Sequence, residues 1–252
     1  MSADRAVTIA LAAAVCAAAP ATAARVAAET AERSAAETAP AERPAEADAN
    51  GFVRIFNGKD LTGWDAKPGW WRVEDGAITA ETTKERPCRK CNYLIWTGGE
   101  PGEFELRATF KLVGGNSGIQ FRSERRPDWD TYGYQADMDA ANQWTGCVYA
   151  HGRGKVGGIG EKTVIDESGK KTVTSIGDKA DLLKTFKKGG WNAYRILAVG
   201  RKIQTFINGK KVADLLYNEQ RYMDNPEGII GLQVHPGPPM KVQFKDILLK
   251  QR

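Results

Sequence analysis

Short segments in which apolar and polar residues alternate, separated by glycine-containing turns, make up most of the chain after residue 50. Alternation with a period of two predicts β-strands with one buried face. Asn208 and Gly209 form an Asn-Gly pair of the kind that supplies the positive φ of a tight hairpin, and Gly200 marks a second turn. A helix is predicted only over residues 178–186, with Asp178 as its cap. The sequence therefore predicts an all-β antiparallel sandwich or barrel.

The first 50 residues differ in composition from the rest of the chain. Residues 1–24 have a charged start, an Ala-rich apolar stretch and small residues before Ala23 and Ala24, the pattern of a secretory signal peptide. The apolar run over residues 6–19 is too short to span a bilayer. Residues 25–50 contain no aromatic residue and little that could be buried, which predicts a disordered linker. We therefore expect a secreted or periplasmic protein, not membrane-spanning, whose folded domain covers residues 51–252.

Charge and cysteine content narrow the function classes. The net charge of +5 comes from Lys and Arg residues scattered among hairpins, without the basic tract of a nucleic-acid-binding protein. Cys88 and Cys91 lack the second cysteine pair of a zinc site. In an oxidising compartment we expect a disulfide, either between Cys88 and Cys91 or between one of them and Cys147.

Three predicted strands share an unusual polar face. Each places amides or glycine together with one ionisable group opposite its apolar side, and lysine is missing from these faces: Gln120 and Arg122, Gln135 and Asp137, Gln233 and His235. If the strands are neighbours in a curved sheet, Arg122, Asp137 and His235 meet on its concave floor. The pattern predicts a binding cleft.

Longer stretches of sequence resemble a known family. The opening "FVRIFNGKDLTGWDAKPGWWRVEDGAITAE", the central "GNSGI", the "WN" and "NG" of residues 191–209 and the closing "GLQVHPGPPMKVQFKDILLK" resemble the 3-keto-disaccharide hydrolase domain family over residues 52–251. The resemblance implies a concanavalin-like, laminin-G-like jelly-roll sandwich of two antiparallel sheets, common in secreted bacterial proteins. It also implies action on glycosides whose C3 hydroxyl has been oxidised to a ketone. Many members have Gly-Tyr-Glu-x-Gln where this chain has "GYQAD", so the acid is displaced by two residues to Asp137.

The implied chemistry assigns roles to the residues of the cleft. A 3-keto group acidifies the C2 hydrogen, so a base can remove it and the C1 aglycone can leave by elimination, with water addition completing hydrolysis. His235 is the predicted base, and Arg122 or a divalent metal ion supplies positive charge where the enolate forms. Asp137 orients His235, binds the metal with His235, or is itself the base. The remaining candidates hold sugar hydroxyls or wall the cleft: Asn116, Gln120, Gln135, Tyr149, Gln233, Trp144 and His151.

Other functions remain open at this point. Laminarinase-type glycosidases use paired carboxylates on one strand, and no E-x-D-x-x-E run occurs here. A non-catalytic carbohydrate-binding module or laminin-G-like adhesion domain would need the same amides but no base, and would bind a 3-keto-glycoside or a cell-surface polysaccharide without turnover. Exposed tryptophans would favour such a module, whereas Trp64, Trp70 and Trp71 are equally suited to a core. A scaffold domain held at the cell surface is a third alternative.

Overall fold

The computed structural model describes residues 47–219 and 227–252. The predicted signal peptide and all but the last residues of the predicted linker lie outside these residues and stay predictions. Within the described part, two sheets and one short helix, α1 (Lys179–Leu183), account for the regular structure. No helix in these residues is long and apolar enough to cross a bilayer.

Sheet A has ten strands, of which nine form one continuous series of hydrogen-bonded neighbours. In spatial order the nine are β12 (Lys171–Ser175), β11 (Glu161–Ile165), β15 (Lys210–Tyr217), β14 (Lys202–Ile207), β13 (Trp191–Val199), β6 (Phe104–Val113), β17 (Met240–Gln251), β4 (Ala77–Thr82) and β3 (Trp71–Glu74). The tenth strand, β1 (Val53–Arg54), pairs separately with β17.

Sheet B has seven strands and carries the residues of the predicted cleft. In spatial order they are β10 (Gly154–Gly157), β9 (Val148–Ala150), β8 (Asp130–Asp139), β7 (Asn116–Arg126), β16 (Ile229–Val234), β5 (Asn92–Trp96) and β2 (Trp64–Asp65). The predicted jelly-roll sandwich of two sheets is confirmed.

The core lies between the sheets and follows the alternation of the sequence. In β6, Phe104, Leu106 and Phe110 are buried, whereas the intervening Arg107 is exposed. Phe104 meets Phe121 of sheet B edge to face, with ring centroids 5.9 Å apart. Interdigitation of the two inner faces removes most of the large apolar side chains from water, which is the main stabilising contribution to a sandwich.

One pairing departs from the predicted antiparallel arrangement. β11 runs parallel to β15, with Thr163 opposite Leu215, and β12 pairs antiparallel with β11 at the edge of sheet A. Parallel neighbours require a long connection, and the chain between them contains β12, α1, β13 and β14. Part of the Gly- and Lys-rich stretch over residues 150–190 is thus an extension of sheet A.

Local predictions can be compared with the turns and the helix. Asn208 and Gly209 both have positive φ, 49° and 81°, and Gly200 has φ 52°, so the hairpin turns are confirmed. Asp178 caps α1 as predicted, because its carboxylate accepts a hydrogen bond of 3.0 Å from the Asp181 amide.

The structure also tests what the sequence suggested for the tryptophans and the cysteines. Trp64 and Trp71 are buried in the core and Trp70 packs against it, so none of the three forms an exposed stacking platform. The disulfide prediction is wrong for this structure, since Cys88, Cys91 and Cys147 are free thiols. Cys147 lies directly before β9, far along the chain from Cys88 and Cys91. The Cys88 thiol donates a hydrogen bond to the Lys90 carbonyl at 2.9 Å.

Candidate functional site

The outer face of sheet B forms a cleft of about 910 Å³, within the usual size of ligand sites. Its floor comes from β8, β7 and β16, which are neighbours in that order. The prediction that these three strands adjoin is therefore correct. Trp144, Tyr149 and Lys188 also line the cleft, together with Pro236 and Pro238.

Asp137 is the buried acid of the cleft. Its side chain points to the floor from β8, the residue is only 4% exposed, and its Oδ1 accepts a hydrogen bond of 2.5 Å from Gln135 Nε2. Burial raises the pKa of Asp137 to about 7, and the negative charge of Asp139 adds to the rise, whereas the Gln135 hydrogen bond opposes it. A carboxyl with a pKa near neutrality in a cleft is suited to proton transfer.

Gln135 connects Asp137 to a chain of hydrogen bonds across the floor. Its Nε2 also donates to Gln233 Oε1 at 3.1 Å, and Gln233 Nε2 donates to Tyr93 OH at 3.0 Å and to Cys91 Sγ at 3.6 Å. These contacts fix which end of each amide is the nitrogen. The Gln135 Oε1 atom is buried and has no hydrogen-bond partner in the described residues.

The surroundings of Gly118 explain why the "GNSGI" segment needs a glycine inside a strand. It lies opposite Asp137, and a Cβ atom there would sit 2.5 Å from Gln135 Cδ. The Gln135 side chain therefore lies over the bare backbone of Gly118, and this is how it reaches Gln233 on the far side of β7. The turn of residues 114–116 enters the same strand, and Asn116 at its start lines the cleft.

The placement predicted for Arg122 is wrong. β7 has a bulge at this point: Phe121 faces Tyr134 and Ser123 faces Gly133, so Arg122 is the extra residue, with φ 45°. The bulge sends the side chain away from the cleft, and its guanidinium donates to Gly102 O at 2.7 Å, Gly200 O at 2.8 Å and Tyr217 OH at 3.0 Å. Arg122 is buried at the end of the sandwich and ties sheet B to sheet A.

Gln120 is also displaced from its predicted role. It points to the cleft side of β7 but is fully buried, and its Nε2 donates to Ser123 Oγ at 2.9 Å and lies 3.4 Å from His151 Nδ1. Gln120 thus supports His151 rather than touching a ligand. His151 lines the cleft, between the rings of Tyr132 and Tyr149, whose centroids are each 5.5 Å from the imidazole.

His235 lies just beyond the end of β16 and lines the cleft, as predicted. Its Nδ1 is 2.5 Å from the Pro236 carbonyl, so Nδ1 carries the proton and Nε2 is an acceptor in the neutral ring. Within the described residues, no hydrogen bond joins His235 to Asp137, and the predicted orientation of His235 by Asp137 is not seen.

The remaining predicted residues line the cleft. Tyr149 lies opposite Gln135 in the pairing of β9 with β8 and contacts Trp144 edge to face, with centroids 6.3 Å apart. Gln233 lines the cleft beside Gln135. Of the predicted site residues, only Arg122 and Gln120 are absent from the lining.

The donor set does not fit a divalent metal. Among the described residues, no group of three or more His, Cys, Asp and Glu side chains is placed to hold an ion. Asp137 and His235 alone would leave most of a coordination sphere to water. The chemistry is therefore derived from the side chains of the cleft.

Among the lining residues that sequence reasoning missed, three are ionisable. Cys91 lies beside Gln233, Asp139 next to Asp137 on β8, and Lys188 in the segment after α1. Alternation along β5 would have indicated the Cys91 and Tyr93 face. Burial raises the pKa of the Cys91 thiol to about 11, so it is a poor nucleophile at neutral pH. Asp139 is structural, because its carboxylate accepts the amides of Ala141 and Gln143 at 2.9 and 2.8 Å.

Two of the solved structures with similar folds come from Parabacteroides distasonis ATCC 8503. One protein, provisionally named a glycosyl hydrolase, is 22% identical, with a TM-score of 0.54 over 80% of this chain and 99% of its own. A second with the same provisional name is 18% identical, with a TM-score of 0.51 over 81% of this chain and 95% of its own. These likenesses support the fold. No protein with a curated description matches the chain in sequence.

The family assignment comes from the sequence of the whole folded domain. Residues 51–250 match the sequence profile described as the 3-keto-alpha-glucoside-1,2-lyase-like domain, which agrees with the resemblance noted over residues 52–251. The match takes in the strands of both sheets and all the residues that line the cleft. The chain belongs to the 3-keto-alpha-glucoside-1,2-lyase-like domain family.

Proposed function

We propose that the protein cleaves 3-keto-α-glucosides by elimination, with Asp137 as the base. The observation that carries the proposal is the Asp137 carboxyl, buried on the floor of a sugar-sized cleft with its pKa raised to about 7. A binding module has no use for such a group, and desolvating it costs stability. A base that must be ionised at neutral pH and still hold a proton afterwards needs a pKa in this range.

The elimination follows from the ketone. Asp137 takes the C2 proton, and the C–H electron pair is delocalised onto the C3 oxygen as an enolate. Collapse of the enolate forms the C1–C2 double bond and breaks the bond from C1 to the glycosidic oxygen, which leaves with the aglycone and takes up a proton. Addition of water to the unsaturated sugar would complete net hydrolysis.

The surrounding side chains fit this sequence of steps. Gln135 holds Asp137 through Oδ1, which leaves Oδ2 for the substrate. Asn116 lies near the same end of the cleft and offers an amide N–H to the enolate oxygen, the role predicted for Arg122 from the sequence. His235 presents Nε2 as an acceptor for a sugar hydroxyl.

Turnover of methyl 3-keto-α-D-glucoside by the full mature chain tests the proposal. We expect methanol release with formation of an unsaturated 3-keto sugar, exchange of C2–H in D₂O, and no reaction with unoxidised methyl α-D-glucoside. Because the donor set lacks a metal site, activity should persist in EDTA. Sugar binding without turnover, irrespective of oxidation at C3, would instead identify a carbohydrate-binding module, and a loss in EDTA restored by a divalent ion would contradict the metal-free mechanism.

We also propose that the protein acts outside the cytoplasm after cleavage of residues 1–24. The support is the pattern of the first 24 residues, a charged start followed by an apolar stretch and small residues. The mass of the exported protein should correspond to a start near Arg25. An exported form that retains residues 1–20 would contradict cleavage.

A further inference from the structure

The two histidines of the cleft, the only two in the chain, lie at different ends of the strands that form it. The backbone amide of His151 donates to Gly133 O at 3.0 Å, so His151 adjoins Gly133. Gly133 and Asp137 are four residues apart on β8, about 14 Å at the rise of a strand. A single sugar ring held at Asp137 would leave the His151 end to the leaving group.

The contacts of His151 Nδ1 determine its tautomer. The backbone N–H of Gly133 points at Nδ1 from 3.3 Å, and Gln120 Nε2 lies 3.4 Å away. The Gln120 amide cannot be reversed without loss, because Ser123 Oγ donates its own proton to Phe121 O at 2.7 Å and needs a donor from Gln120. Nδ1 therefore meets two donors and acts as the acceptor, which places the proton of the neutral ring on Nε2.

The Gly133 carbonyl, 3.1 Å from Nδ1, does not reverse this assignment. It already accepts the His151 backbone amide at 3.0 Å, whereas the Gly133 N–H has Nδ1 as its acceptor. His235 is in the opposite state, with its proton on Nδ1 and a lone pair on Nε2. The cleft thus presents a hydrogen-bond acceptor from His235 and a donor from His151.

The His151 donor is held in place. The rings of Tyr132 and Tyr149 lie on either side, each with its centroid 5.5 Å from the imidazole, and Tyr149 itself lines the cleft. His151 Nε2 has no hydrogen-bond partner in the described residues. A fixed donor flanked by an aromatic ring is a common way to bind an oxygen-rich ligand such as a second sugar.

We propose that His151, through its Nε2–H, is a specificity-determining residue that selects leaving groups with an acceptor oxygen, such as a second sugar ring, over small alkyl leaving groups. This inference rests on the proposed function, since it assigns the Asp137 end of the cleft to the reacting ring. Tyr149, between Gln135 and His151, would pack against the ring of the leaving group.

Substrate selectivity tests the role of His151. The measured quantity is the ratio of kcat/KM for 3-keto-trehalose to kcat/KM for methyl 3-keto-α-D-glucoside. In His151→Phe, which keeps a ring but loses the donor, the ratio should fall about 3–10-fold, the value of one neutral hydrogen bond. His151→Gln keeps an N–H near the position of Nε2 and should retain most of the ratio. His235→Phe, the matched control, should lower both rates without changing the ratio.

The tautomers can be read separately in the ligand-free protein. With two histidines, a ¹⁵N spectrum of the full mature chain at a pH where the rings are neutral contains two ring systems, and we expect Nε2–H for His151 and Nδ1–H for His235. An Nδ1–H tautomer at His151, or an unchanged ratio in a folded His151→Phe protein, would overturn the inference. If wild type turns over neither substrate, the proposed function fails. The role of His151 is then judged by whether 3-keto-trehalose shifts its Nε2 signal.

Discussion

Asp137→Asn is expected to lower kcat/KM for a 3-keto-α-glucoside by about 10²–10⁴-fold, because the amide cannot accept the C2 proton. The same substitution should raise thermal stability at neutral pH. In the wild-type protein, kcat/KM should increase with pH and level off above about pH 7, as the Asp137 carboxyl ionises. Asn keeps the shape of the side chain, so the cleft should still bind substrate.

The stability gain follows from the direction of the pKa shift. The pKa of the Asp137 carboxyl is about 7 in the folded protein against 3.8 for an ordinary Asp, so the folded state holds the proton more tightly. The carboxyl then lowers the free energy of unfolding as pH rises from about 4 to 7, with no further loss above. The Asp137→Asn protein would be free of this penalty, and we expect a gain of about 4 kcal/mol at pH 8, or roughly 8–16 °C in Tm.

Asp139→Asn is the matched control for Asp137→Asn. Asp139 is nearly as buried, but its oxygens accept the backbone amides of Ala141, Gln143 and Trp144. Placing an NH₂ group among these donors should lower stability by about 1–3 kcal/mol. Thermal unfolding of both variants at pH 4.5 and 8 measures the difference. An Asp137→Asn protein that is no more stable at pH 8, or that retains its activity, would contradict the assignment of Asp137.

Arg122→Met should destabilise the protein without impairing chemistry in the molecules that remain folded. The change removes the three hydrogen bonds that the charged guanidinium donates, so the carbonyls of Gly102 and Gly200 lose Arg122 as their donor. We expect a loss of about 3 kcal/mol in the free energy of unfolding, since bonds to charged groups contribute more than neutral ones. Urea unfolding measures this loss, and kcat/KM is measured below the transition.

Arg125→Met provides the comparison for Arg122. Arg125 lies three residues further along β7, is largely exposed and forms an ion pair with Asp65, so its replacement should cost about 0–1 kcal/mol. The sequence-based role for Arg122, stabilisation of the enolate, predicts instead a rate loss of about 10²-fold or more with little change in stability. That result would show that the guanidinium reaches the cleft during turnover.

Much of the fold and most of the cleft could be predicted because strand alternation is a local property of the sequence. Asp137, Gln135 and Gln233 lie on the predicted face, since β8 and β16 keep a regular register there. Arg122 could not be placed, because a single bulge reverses the side-chain direction and the letters "FRS" carry no sign of it. The parallel pairing of β11 with β15 depends on contacts between distant segments, which periodicity does not report.

The roles of the individual side chains were harder to predict than which residues line the cleft. His235 and Asp137 looked alike as candidate bases, and the difference between them is burial, which raises the pKa of the carboxyl. Gln120 and Gln135 occupy equivalent positions on paired strands. Gln120 contacts His151 Nδ1, whereas Gln135 lies across the backbone of Gly118. This difference arises only when the side chains are packed together.

The contact between Gly118 and Gln135 has an evolutionary consequence. Because the side chain of residue 135 occupies the space that any Cβ at residue 118 would need, residue 118 must stay glycine for as long as Gln135 keeps this position. A lineage that replaced the glycine would have to shorten or redirect the side chain opposite and would lose the bridge from Asp137 to Gln233. Among descendants that retain this cleft, a side chain at residue 118 should therefore appear only together with a change at residue 135, seventeen residues further along the chain.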